Sequence, residues 1–362
     1  MTMRILFTGH APVHFLGFRP LWERLAGRPG VEVFVSGGLR GGAASGGPAC
    51  DGPGLYRPFG VPDDRILPAE AVRSRTFDVH FSMDGRAAAP RGNFGALVQM
   101  FHAVSFRNRA VRSDSLDHDA LFLIGPYMRR RFAGQCLLSE ADRRGVPIGL
   151  PRTDPLVAGG FDRAALLARH GLDGSRPVLL YAPTGEAGGS LETMGGAVIR
   201  NLAACGRFDL IVKPPGRAKD GRDWSAELAP LEGPRTRLAR GRDAAPLLRA
   251  SDLLVTDASS VANEYALLDR PMLFLDVPEL LRASREAGAA LDLHGWGRKG
   301  GTVVERAGDA PDAALEALAD PGRLSGVRRA IAKDLFYNPG RATDAAVAWL
   351  ARRFPVPERL AS

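Results

Sequence analysis

Residues 250–275, Ala250-Ser-Asp-Leu-Leu-Val-Thr-Asp-Ala-Ser-Ser-Val-Ala-Asn-Glu-Tyr-Ala-Leu-Leu-Asp-Arg-Pro-Met-Leu-Phe-Leu, decide the fold. The run Asp252–Asp257 is apolar without alternation, which suits a strand buried on both faces. Ser259–Leu268 then reads as a helix, and after an Asp-Arg-Pro break Pro271–Asp276 reads as a second buried strand. Strand, short turn, helix and strand make a βαβ unit, whose strands lie parallel. Ligands of such sheets collect beyond the carboxyl ends of the strands, which draws attention to Asp257, Ser259 and Ser260. Backbone N–H groups and hydroxyls at a helix N-terminus can take a phosphate, whose charge the helix dipole favours. The competing reading is that Asp257 and Ser259 only cap the helix.

The alternation extends outward in both directions. Upstream of this unit lie helix Ala244–Ala250, the strand Asp209-Leu-Ile-Val with Lys213-Pro-Pro-Gly after it, the strand Val178-Leu-Leu-Tyr-Ala-Pro-Thr184, and helix Asp162–His170. Nearer the N-terminus, strand Arg4–Gly9 opens onto a Gly/His/Pro loop carrying His10 and His14, followed by helix Phe18–Leu25 and strand Val31–Ser36. Strands Phe77–Ser82, Ala96–Phe101 and Ala120–Ile124 follow, and Asp84-Gly85-Arg86 closes the first of them. Arg40–Gly54 is rich in Gly, Ala and Pro without periodicity and reads as a mobile loop. The pattern restarts near Gly149, so an α/β fold with two doubly wound, Rossmann-like halves is expected. Asp344–Arg353 is a final helix with Thr343 as its expected N-cap.

At 362 residues, with 45% apolar and 24% charged, the chain has room for two cores. Its 43 Gly and 27 Pro follow no repeat, which excludes a collagen-like chain, and the apolar content excludes disorder. Three scattered cysteines, Cys50, Cys136 and Cys205, offer neither a disulfide framework nor a zinc site and suit a reducing compartment. No signal peptide or membrane-spanning run is visible, so a cytoplasmic location is expected. The net charge of +8 is carried by arginine, since only Lys213, Lys219, Lys299 and Lys333 are lysines. Arginine suits phosphate by its fork geometry. Arg129-Arg130-Arg131 and Arg143-Arg144 are candidates for contact with an anionic membrane surface, against the commoner reading of a solvated charged face. Aromatics at 7%, with no recognised module, argue against nucleic acid.

Four segments in order resemble the CDP-glycerol glycerophosphotransferase family. Thr256-Asp-Ala-Ser-Ser260 looks like that family's T-D-Y-S-S. Ala96–Arg109 (ALVQMFHAVSFRNR) looks like a strand followed by Q-x-W-H-G-x-x-x-K, Gly149–Leu156 (GLPRTDPL) like G-x-P-R-x-D-x-L, and Leu179–Thr184 (LLYAPT) like L-Y-A-P-T. The resemblance implies a GT-B fold: an acceptor-side domain at 1–155, a nucleotide-donor domain at 156–335, and a closing segment 336–362 whose helix crosses back to the first. It implies His102 as the general base on an acceptor hydroxyl, which agrees with an imidazole whose ordinary pKa lies near 6.5.

The same resemblance, which covers about 95–345, places Lys213, Thr184, Asp257, Ser259, Ser260, Glu264 and Arg341 around the donor, with Arg217 a candidate for further positive charge there and Arg107 near the expected acceptor-side lysine. His10, His14 and Asp84 are acceptor-side candidates from their places at strand ends, against the reading of simple loop placement. A surface glutamate paired with Arg270 or another arginine is the competing reading of Glu264. Two departures stand out. Pro215 replaces a family histidine in K-x-H-P and has no side-chain donor, and Asn338-Pro-Gly-Arg-Ala replaces a motif near D-G-K-A. Ala103 also stands for a glycine. The implied function is transfer of a polyol phosphate from a CDP-linked donor to a glycan or lipid-linked acceptor, with no tightly bound cofactor and no metal. A nucleotide-sugar glycosyltransferase, a nonhydrolysing UDP-sugar 2-epimerase-like enzyme and a catalytically silent nucleotide-binding protein are the alternatives.

Overall fold

The computed structural model describes residues 2–40, 50–83, 93–104, 111–215, 222–288, 292, 296 and 298–354. Asp84, Arg107 and Arg217 lie outside them. The chain divides into two compact units: Met1–Val104 with Ala110–Asp154 and Asp334–Ser362, and a second built on Pro155–Lys333.

In the first unit, strands β1 (Met3–Gly9), β2 (Val31–Gly37), β5 (Ile66–Leu67), β6 (Phe77–Ser82), β7 (Phe94–Gln99), β8 (Ala120–Leu123) and β9 (Gly145–Pro147) form one sheet in the order β5-β2-β1-β6-β7-β8-β9. All its pairings are parallel. Two further strands, β3 (Leu39–Arg40) and β4 (Cys50–Asp51), form a small antiparallel ribbon. One face of the main sheet buries Ile5, Phe7, Val79, Phe81 and Val98 against Phe15 and Phe18 of helix Pro12–Leu25 and against Ala346, Val347 and Leu350 of helix Ala342–Arg353.

The second unit holds β10 (Val178–Tyr181), β11 (Asp209–Val212), β12 (Thr236–Leu238), β13 (Leu253–Thr256), β14 (Met272–Leu275) and β15 (Thr302–Val304), in the parallel order β12-β11-β10-β13-β14-β15. With the ribbon set aside, each sheet runs third, second, first, fourth, fifth strand. That is the doubly wound order, with the reversal between β1 and β6 in one unit and between β10 and β13 in the other.

Several boundaries differ from the sequence reading. The first helix begins at Pro12 rather than Phe18, because a proline at its first position needs no N–H partner and Pro20 is accommodated inside it. Of the Gly-rich stretch Arg40–Gly54 read as a loop, residues 41–49 lie outside the described residues, and its end is helical: Gly52–Tyr56 is a helical turn capped by Asp51, whose carboxylate accepts from Gly54 N–H at 2.8 Å. The helix after β13 is short, Val261–Tyr265, and tightens into a 3-10 turn at Ala266–Leu268.

Thr343 does not cap the last helix. Asp154 does so from another part of the chain, accepting from the amides of Ala342 at 2.9 Å and Thr343 at 2.7 Å. Burial pushes the Asp154 carboxyl up, and those amide bonds pull it back. The same returning segment is clamped by Asn338, which adopts φ +45° and donates to the carbonyls of Pro147 at 3.0 Å and Ile148 at 3.1 Å. Gly149 completes the fit, since a Cβ there would stand 2.2 Å from the Tyr337 carbonyl oxygen. Removing a remote helix cap leaves two buried amides unpaired, so Asp154→Ala should lower the stability of the first unit by about 2 kcal/mol, read from urea unfolding.

His80 on β6 is wholly buried, its Nε2 2.9 Å from Thr8 Oγ1. Burial, and then the neighbouring His118, push it from 6.5 down to about 3. The unfolded chain therefore binds a proton that the folded one refuses. Stability is full above about pH 6.5 and falls below it by about 1.4 kcal/mol per pH unit for this residue. The urea midpoint should drop between pH 7 and pH 5, and drop less in His80→Gln.

Candidate functional site

In the second unit the reversal of strand order brings together the loops after β10 and β13, and a single carboxylate joins them. Asp257 is 1% exposed. Its Oδ1 accepts from Thr184 N–H at 2.8 Å and its Oδ2 from the Ser190 amide at 3.0 Å and hydroxyl at 2.8 Å. Ser190 in turn meets the Tyr181 hydroxyl at 2.8 Å. Asp257 thus spends its oxygens on the protein and shapes the 182–190 loop from beneath. Ser190, which the sequence reading did not single out, is part of this network; only the sheet order shows it facing Asp257.

Ser259 and Ser260 follow at the start of helix Val261–Tyr265, half-buried, and the Ser260 side chain caps no helical amide. Glu264 is 2% exposed, so it is not a surface glutamate. Arg270 donates instead to the Arg249 carbonyl at 2.7 Å. Lys213 stands at the end of β11 with its Nζ donating to the Pro214 carbonyl at 2.9 Å. Burial pushes its ammonium down while Asp243 opposes the shift. Pro215 beside it contributes no polar side chain.

In the first unit the loops after β1 and β7 carry three histidines. His10 and His14 flank the start of helix Pro12–Leu25, and His102 lies three residues past the end of β7. The rings of His14 and His102 are 5.1 Å apart between centroids. Arg152 donates to the His102 carbonyl at 3.4 Å. Burial, then His14, then Arg152 push His102 from 6.5 down to about 3, so at neutral pH the ring is an unprotonated base. Arg341, by contrast, is exposed and precedes helix Ala342–Arg353.

A row missed in the sequence runs across the ends of four neighbouring strands: Ser36, Thr8, Ser82 and Gln99 are paired in register and all are buried. The alternation of one strand shows a lone polar residue; the register shows a polar band. The arginine cluster is largely committed within the protein. Arg130 forms a two-pronged ion pair with Asp334 at 2.8 and 2.6 Å, Arg129 donates to the Glu140 and Gly145 carbonyls, and Arg144 pairs with Asp142. Among the described residues no group of acidic, His or Cys side chains could hold a metal, and no helix is long and apolar enough to cross a membrane.

The fold is GT-B: two parallel-sheet units of the kind seen in sugar-nucleotide and polymer-forming enzymes. The chain is similar to the wall teichoic acid polymerase TagF, with TM-score 0.70 and 14% identity over 97% of this chain and 88% of that one. It is also similar to a putative UDP-N-acetylglucosamine 2-epimerase from Listeria monocytogenes, with TM-score 0.60 and 14% identity over 99% and 98%. A third likeness is to a UDP-GlcNAc 2-epimerase from Neisseria meningitidis bound to UDP-GlcNAc, with TM-score 0.60 and 11% identity over 97% and 100%.

Residues 232–338 match the family described as CDP-Glycerol:Poly(glycerophosphate) glycerophosphotransferase, the family the sequence motifs resemble. No curated protein sequence matches the chain. The matched segment includes Asp257, Ser259, Ser260 and Glu264 but neither His102 nor Lys213.

Because Asp257 holds buried donors, Asp257→Ala should cost the second unit about 3 kcal/mol. Ser260→Ala, which removes no side-chain hydrogen bond among the described residues, should change stability by less than about 0.5 kcal/mol. Thermal unfolding of the two variants side by side checks the contrast.

Proposed function

We propose that the protein transfers a glycerol-phosphate-like group from a CDP-linked donor to a hydroxyl of a glycan or lipid-linked cell-envelope acceptor. The observation that carries this reading is the match of 232–338 to the glycerophosphotransferase family, over a segment that puts Ser259 and Ser260 at the end of β13 beside the strand-order reversal. The donor enters as a substrate and no resident cofactor is invoked. The reaction is placed on the cytoplasmic side, at the membrane when the acceptor is lipid-linked.

In this reading Ser259 and Ser260 bind the diphosphate, Thr184 and Arg217 line it, and Glu264 takes the ribose hydroxyls. Lys213 offsets the charge that grows on the leaving phosphate, and its burial strengthens that effect by removing competing water. Pro215 leaves that task at the end of β11 to Lys213. His102 acts on the acceptor with His14 beside its ring and His10 next to His14, the acceptor roles of Asp84 and Arg107 resting on the sequence alone, while Arg341 is assigned further positive charge. The acceptor oxygen attacks the polyol-bearing phosphorus, its proton passes to the unprotonated nitrogen of His102, and the bond to the cytidine-bearing phosphate breaks to release CMP. Such catalysis is mainly positioning and charge stabilisation.

The similarity to epimerases supplies a rival, since those enzymes need no acceptor. CDP-glycerol binding measured by calorimetry should be specific over UDP- and GDP-linked compounds and about tenfold weaker in Ser259→Ala/Ser260→Ala, a loss of roughly 1.4 kcal/mol. His102→Ala should keep donor affinity and lose about a hundredfold or more in turnover, the scale of general-base catalysis. Turnover of His102→Ala near the wild-type rate would remove the base from the scheme.

A further inference from the structure

A base that takes a proton from an acceptor hydroxyl needs its ring held, and on His102 the nearest ring is that of His14. His14 lies against it, in the first turn of helix Pro12–Leu25, with the ring centroids 5.1 Å apart and the planes inclined by 38°. The His10 backbone N–H donates to His14 Nδ1 at 3.1 Å. With Nδ1 occupied as an acceptor, the neutral His14 ring carries its proton on Nε2, so its tautomer is set by the main chain.

One glycine makes room for the His14 ring: a Cβ on Gly9 would stand 2.7 Å from His14 Cβ. Gly17 of the same helix faces the His102 loop, a Cβ there lying 3.5 Å from the His102 Cα, in ordinary contact. Arg152, from the turn Pro151–Thr153, holds the His102 carbonyl.

We propose that His14 is a positioning residue for His102: held by the His10 amide, its ring fixes the orientation from which the His102 imidazole takes the acceptor's proton. The proposal rests on the reading of His102 as the base. Among the described residues, the charged and titratable groups bearing on His102 are His14 from the helix and Arg152 from the turn, with His10 beside His14 in the loop after β1. Both His14 and Arg152 oppose a positive charge on His102, in addition to burial. Replacing His14 by a ring that cannot be protonated removes the repulsion that a protonated His14 exerts and moves the His102 titration upward.

The test uses the full chain and two variants. His14→Phe keeps a ring over Gly9 but cannot accept from the His10 amide; His14→Asn keeps an acceptor near the place of Nδ1. Long-range 15N–1H correlation spectra should show wild-type His14 as the Nε2–H tautomer. A pH titration of the imidazole signals, assigned with His102→Gln, should show His102 titrating at higher pH in His14→Phe than in the wild type. With CDP-glycerol and an acceptor, kcat should fall about tenfold or more in His14→Phe with donor KM within about twofold, and His14→Asn should recover part of it.

An Nδ1–H tautomer for His14, an unmoved His102 titration, or an unchanged kcat in His14→Phe would overturn the proposal. Absence of turnover in the wild type would instead overturn the transferase reading, and the spectra would still decide whether the two rings are coupled.

Discussion

A carboxylate taken out of water must be surrounded by donors, and in each unit one aspartate meets this constraint in a way that fixes the chain around it. Asp257 gathers the Thr184 amide and both donors of Ser190, which holds the loops after β10 and β13 side by side at the point where the strand order reverses. Asp154 gathers the first two amides of the last helix and binds the returning chain to the first unit. An unpaired buried charge would cost several kcal/mol, so neither arrangement can loosen by degrees. The surfaces that the site is built on inherit this rigidity.

This changes how the family-like motifs are read. The acid of GLPRTDPL caps a helix, its glycine admits the Tyr337 carbonyl, and Asn338 clamps the carbonyls just before that glycine. Two segments nearly two hundred positions apart in the chain are one structural joint, and the altered Asn338-Pro-Gly-Arg segment still makes it. Asp257 likewise shapes its loop, while Ser259 and Ser260 follow it half-buried and the Ser260 side chain caps no helical amide. The histidine loops of the first unit carry the opposite property: a base kept neutral by burial and by its neighbours.

The strands were legible in the sequence because buried parallel strands are short unbroken apolar runs, as at Val178–Tyr181 and Leu253–Thr256. Helix starts were less so. Pro12 is a good first helical residue but reads equally well as a loop residue, and the cap of the last helix comes from Asp154, which no local pattern can reveal. The positions of the candidate residues at strand ends were legible too: His102 follows β7, Lys213 follows β11, and Asp257, Ser259 and Ser260 follow β13. What the sequence withheld were relations across the fold: Ser190 under Asp257, His14 against His102, the register of Ser36, Thr8, Ser82 and Gln99, and the pairing of Arg130 with Asp334. Each depends on which strands become neighbours or on where a distant segment docks.

The central claim is that the donor is cut between its two phosphates. The most direct measurement is 31P NMR of the purified protein with CDP-glycerol, with and without a hydroxyl-bearing acceptor. The account predicts that CMP and a new phosphodiester signal accumulate together, and only when the acceptor is present. Release of a nucleoside diphosphate, or an altered donor formed without any acceptor, would contradict it.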